Sequence, residues 1–78
     1  MRLLRVPELK QLFGYRSTTT VYNSLSEGLL TKPIRIGQRA VAWPENEIEI
    51  IIGARIAGKN DEQIKQLVSD LTERRVQE

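Results

Sequence analysis

GYRSTTTVYNSLSEG, residues 14–28, decides how this chain folds. β-branched threonine is a poor choice for a helix interior, because it loses side-chain freedom against the preceding turn. Three in a row, Thr18 to Thr20, therefore suit the first turn of a helix that must touch something polar. Ser17 ahead of them is a favoured N-cap whose oxygen accepts the free N–H groups of that turn. The helix so opened runs to about Glu27 and stops at Gly28. Its inward face would hold Val21, Leu25 and the methyl of Thr20, leaving Thr18, Thr19, Tyr22 and Asn23 near the opposite side.

Upstream, Pro7 suits a first helical position and Glu8 complements the positive helix end. Leu9, Leu12 and Phe13 follow at i, i+3 and i+4, and Gly14 can take the left-handed stop. This predicts a helix from about Pro7 to Phe13, joined to the second by the tight turn Gly14-Tyr15-Arg16. Downstream, PIRIGQRAVAW, residues 33–43, alternates as strands do, with a turn around Gly37-Gln38. An even loop would set Val41 and Trp43 on the face of Ile34 and Ile36, with Arg35, Ala40 and Ala42 opposite and Trp43 as a core anchor. Pro44 opens a third helix whose stripe is Ile48, Ile51, Ile52, Arg55 and Ile56, ended by Gly58. Asn60 with Gln63 is a capping-box pattern, starting a fourth helix with Ile64, Leu67, Val68 and Leu71 on one side.

Composition narrows the chemistry. At 78 residues the chain is expected to form one small domain, divided into a main unit over residues 1–58 and a C-terminal helix over 59–78. It contains no cysteine and no histidine, which removes disulfides, thiolate nucleophiles, the usual zinc ligand sets and imidazole acid-base catalysis. Glu45, Glu47 and Glu49 alternate along a helix and so point to different sides, which argues against a convergent carboxylate site. No catalytic residue, metal or cofactor is expected. No apolar run approaches bilayer length and no signal-peptide core is visible, so a cytoplasmic location without membrane contact is expected. The charge is divided: residues 1–43 hold seven basic against two acidic residues, and residues 44–78 five against eight. The first half suits a polyanion.

Two helices joined by a tight turn, then a two-stranded hairpin and further helices, is the order of a mainly α winged helix-turn-helix. In that architecture the second helix enters the major groove and the hairpin tip, the wing, reaches the neighbouring backbone or minor groove. Arg16, Ser17, Thr18, Thr19, Tyr22 and Asn23 on the recognition helix, with Arg35, Gln38 and Arg39 on the wing, are the candidate DNA-binding residues. Each has a plainer reading beside it. Tyr22 can cover the core edge, Arg35 can be a solubilising strand residue, and either threonine can be exposed and idle.

From Arg2 to Gly58 the chain resembles the AlpA family of phage regulatory proteins and, more broadly, the MerR-like winged helices that include small phage excisionases. The resemblance rests on Ser17-Thr18-Thr19-Thr20-Val21-Tyr22, on Glu27-Gly28, on Lys32-Pro33-Ile34-Arg35-Ile36-Gly37, and on Ala40-Val41-Ala42-Trp43 followed by Glu47-Ile48. Asn23 and Ser24 depart from it, standing where the family often has a basic and an apolar residue. The resemblance implies a sequence-specific duplex-DNA-binding regulator of a prophage or genomic island, or else an excisionase that bends attachment-site DNA. Duplex DNA is the expected partner, with an integrase or RNA polymerase, or a homodimer or cooperative array on DNA, as further candidates. The apolar face of the fourth helix either packs on the domain or serves as a partner surface for dimerisation. An adaptor that binds protein rather than DNA, using the fourth helix as its surface, is the reading from another class.

Overall fold

The computed structural model describes residues 2–77, arranged in chain order as β1 (Leu3–Leu4), α1 (Val6–Phe13), α2 (Thr18–Ser26), β2 (Ile34–Arg35), β3 (Val41–Pro44), α3 (Glu45–Ile56) and α4 (Asp61–Gln77). The three strands form one antiparallel sheet in the order β1-β3-β2. The helices and the hairpin fit the winged helix-turn-helix expected from the sequence. Strand β1 is an addition to it: Leu3 pairs with Pro44 and Leu4 with Trp43, making β3 the central strand.

Local signals explain the helix ends. Gly14 closes α1 at φ 72°, a left-handed conformation that a side chain would strain, and the N–H of Tyr15 then reaches back to the Lys10 carbonyl at 2.9 Å. At the other end of α1, the Glu8 carboxylate accepts the Arg5 backbone N–H at 3.0 Å and an Arg2 guanidinium N–H at 2.7 Å. That backbone hydrogen bond, followed by the charge of Arg2, holds the Glu8 carboxyl below its ordinary value. Asn60 and Gln63 form the reciprocal capping box, at 2.9 and 3.0 Å, as their spacing predicts.

The hairpin register differs from the sequence expectation. Ile34 pairs with Ala42 and Arg35 with Val41, and the Ile36 N–H donates to the Ala40 carbonyl at 2.9 Å around the loop Gly37-Gln38-Arg39. The loop is odd, so Ile34 and Ile36 share a face with Ala42 and Ala40, and Arg35 shares one with Val41 and Trp43. Trp43 is nevertheless fully buried, as expected of a core anchor, but not through those isoleucines, which stay 37% and 45% exposed. With only one face of the sheet covered, an odd loop would bury Ala42 and expose Trp43, which is why the sequence points to an even one. Ala42 and Trp43 are neighbours in β3 and so point to opposite faces, and both are inaccessible to solvent, so this strand is covered on both faces.

The core gathers Leu4, Leu9, Val21, Leu29, Leu30, Trp43, Ile48 and Ile51 around the sheet, with Ile64, Val68 and Leu71 contributed by α4. The α3 stripe is shorter than expected, since Arg55 and Ile56 at its end are exposed. Arg55 instead pairs with Asp61 at 2.9 Å across the turn into α4.

Candidate nucleic-acid interface

Every turn of α2 has one buried and one open side. Val21 and Ser24 are buried and Leu25 half-buried, whereas Thr18, Thr19, Tyr22, Asn23 and Ser26 are exposed. The exposed set is spaced i, i+1, i+4, i+5, i+8, so it forms one continuous stripe along the helix. Ser26 was not among the sequence candidates, although its place four residues beyond Tyr22 marks it as part of the same face. Ser24 is held inside by a hydrogen bond between its hydroxyl and that of Tyr15 at 3.0 Å. A polar residue can therefore occupy an inward position here, because its partner comes from the turn that leads into the helix.

Ser17 stands at the head of the stripe in extended backbone, φ −141°, and its hydroxyl accepts the Thr20 N–H at 3.3 Å. Its side chain and that of Thr20 are also within hydrogen-bond distance of each other, at 3.1 Å. Ser17 is thus committed to starting the helix, and the hydroxyls of Thr18 and Thr19 have no hydrogen-bond partner among the described residues. The first turn of α2 also lacks an acidic residue, whereas those of α1, α3 and α4 carry Glu8, Glu45 with Glu47, and Asp61 with Glu62. The positive end of the α2 dipole is left uncompensated.

Among the described residues, ion pairs engage three arginines and leave Arg5, Arg16, Arg35, Arg39 and Arg74 without a carboxylate. Arg2 bridges Glu8 and Glu45, Arg55 meets Asp61, and Arg75 meets Glu47. Arg16 before α2, and Arg35 and Arg39 on the wing, are exposed and have no carboxylate partner among the described residues. Gln38, at the wing tip between them, is exposed as well. The candidates thus fall into two groups, residues 16–23 at the head of α2 and residues 35–39 on the wing. No hydrogen bond or ion pair joins the two groups among the described residues.

Glu45, Glu47 and Glu49 do not converge. Glu45 turns to Arg2, Glu47 is buried against Arg75, and Glu49 is exposed. A groove of about 400 Å³ between α1 and α3, lined by Leu12, Ile52 and Ile56, includes none of the candidate residues. No helix among the described residues is long and apolar enough to cross a membrane.

A protein-family model described as Prophage CP4-57 regulatory protein (AlpA) matches residues 2–56. The chain belongs to the AlpA family. No curated protein and no solved structure matches it. The AlpA match takes in β1, α1, α2, the wing and α3 to its last residue, and it leaves α4 outside. Membership of a prophage regulatory family agrees with a helix-turn-helix and wing whose Arg16, Arg35 and Arg39 meet no carboxylate among the described residues.

Proposed function

We propose that this AlpA-family chain is a sequence-specific duplex-DNA-binding regulator of a prophage or genomic island, acting without cofactor or catalysis. The observation that carries this reading is the polar stripe on α2, flanked by arginines that no carboxylate neutralises among the described residues. The major groove admits an α-helix, and Thr18, Thr19 and Asn23 are residue types that can read it. A threonine hydroxyl bonds base edges or phosphate oxygens, its methyl meets that of thymine, and an asparagine amide bonds adenine in two places. Arg16 and the uncompensated helix end suit a phosphate beside the groove. Arg35, Gln38 and Arg39 on the wing suit the neighbouring backbone, where contacts fix register rather than sequence.

Selection from a pool of random duplexes tests this. The parent protein enriches a defined motif, and Thr18→Ala/Thr19→Ala, which removes no cap and slightly raises helix propensity, keeps its melting temperature but loses discrimination within that motif. Failure of the parent to enrich any motif overturns sequence-specific binding. An unchanged motif in the double variant moves the reading surface to Tyr22, Asn23 and Ser26.

A further inference from the structure

Helix α4 lies beyond the segment that matches the AlpA family, yet one of its side chains reaches the root of the wing. The Arg75 guanidinium donates through Nε to Glu47 Oε2 at 2.7 Å and through a second nitrogen to the other oxygen of that carboxylate. Its remaining nitrogen, Nη1, donates to the backbone carbonyl of Lys32 at 2.8 Å. Glu47 is only 6% exposed and sits in the first turn of α3, so the planar guanidinium fork ties three separate parts of the chain at one point. Lys32 is the third residue before Arg35, and Pro33, with its fixed φ, lies between Lys32 and β2.

The wing has little else to set its direction. β2 is an edge strand of two residues, neither of them buried, and it is paired to β3 alone. Just before Lys32, the Thr31 carbonyl accepts the Trp43 indole N–H at 2.7 Å. The backbone is therefore held at two successive carbonyls, one from inside the core by Trp43 and one from α4 by Arg75.

We propose that Arg75 is a positioning residue for the wing. By holding the Lys32 carbonyl and the Glu47 carboxylate together, it fixes the angle at which Arg35 and Arg39 leave the body of the protein, so the DNA-binding unit extends into α4. The DNA half of this inference rests on the reading of the wing given above. The clamp itself can be measured without DNA.

Arg75→Ala alone would leave Glu47 buried without a partner and could unfold the chain for that reason. Glu47→Leu/Arg75→Met removes one charge of each sign, leaves no buried ion, and still breaks the tie to Lys32. In this variant, hydrogen exchange followed by NMR in the absence of DNA is expected to speed up about tenfold at the Ile36 amide, with amides of α2 unchanged. Its affinity for duplex DNA is expected to fall about tenfold in the parent background but less than about twofold when Arg35→Ala/Arg39→Ala is already present, because the wing has nothing left to position. Unchanged exchange at the wing overturns the clamp. Equal losses in both backgrounds overturn its link to DNA binding. Faster wing exchange together with parental affinity in Arg35→Ala/Arg39→Ala upholds the clamp and overturns the wing as a DNA contact.

Discussion

Helix α2 turns Thr18, Thr19, Tyr22, Asn23 and Ser26 outward while Val21 and Ser24 are buried beneath them, whereas in the wing every residue from Ile34 to Arg39 is exposed. The helix is seated on the core along its whole length. Among the described residues, the wing is fixed at its root by the Trp43 and Arg75 hydrogen bonds to Thr31 and Lys32, and along its length by the short ladder to β3. A surface that must read base edges needs a fixed face, because displacement by one residue turns a helix through about 100°. A surface that grips phosphates tolerates some play, since the backbone offers a similar charge at each step. The difference predicts which substitutions disturb folding and which disturb only binding.

The largest effect is expected at the root of the wing. Trp43→Ala removes the largest fully buried side chain and strands the Thr31 carbonyl, and should cost about 3–5 kcal/mol in denaturant titrations. A domain of 78 residues has little stability to spare, so partial unfolding at room temperature is the expected observation. Stability equal to that of the parent would mean that the root is held elsewhere.

Beneath α2 the effect should be smaller. Tyr15→Phe leaves the buried Ser24 hydroxyl without its partner and should cost about 1–2 kcal/mol, most of it recovered in Tyr15→Phe/Ser24→Ala, where both polar groups are gone. Additive losses in that double variant would show that the pair does not seat the helix.

Thr31 tests the root in the opposite direction. Its hydroxyl is buried with no hydrogen-bond partner among the described residues, so Thr31→Val should raise stability by about 1 kcal/mol. A loss of stability would show that the hydroxyl is satisfied in solution.

Legibility in the sequence followed the range of the interactions. The Ser17 cap, the Gly14 stop and the Asn60/Gln63 box each act within a few residues, and each is where the sequence places it. The stripe on α2 was readable for the same reason, apart from Ser26. What the sequence did not reveal depends on distant partners. Strand β1 is two residues long and acquires its meaning from Trp43 and Pro44 some forty positions away. The hairpin register turns on the burial of both faces of β3, shown by Ala42 and Trp43 together, which no local pattern announces. The tie from Arg75 to Glu47 and Lys32 likewise joins positions with no local pattern between them. In the candidate interface, residue types and positions were readable from the sequence, whereas which arginines lack a carboxylate partner required the fold.

The most direct test of the central claim is the salt dependence of affinity for duplex DNA, measured for the parent and for Arg35→Ala/Arg39→Ala. If α2 reads the groove and the wing holds phosphates, the parent's affinity falls steeply as salt rises. The variant binds all duplexes more weakly, its logarithmic salt slope is lower by about one to two, and its preference among sequences is kept. A parent whose affinity does not respond to salt, or a double variant with the parental slope, would contradict the account.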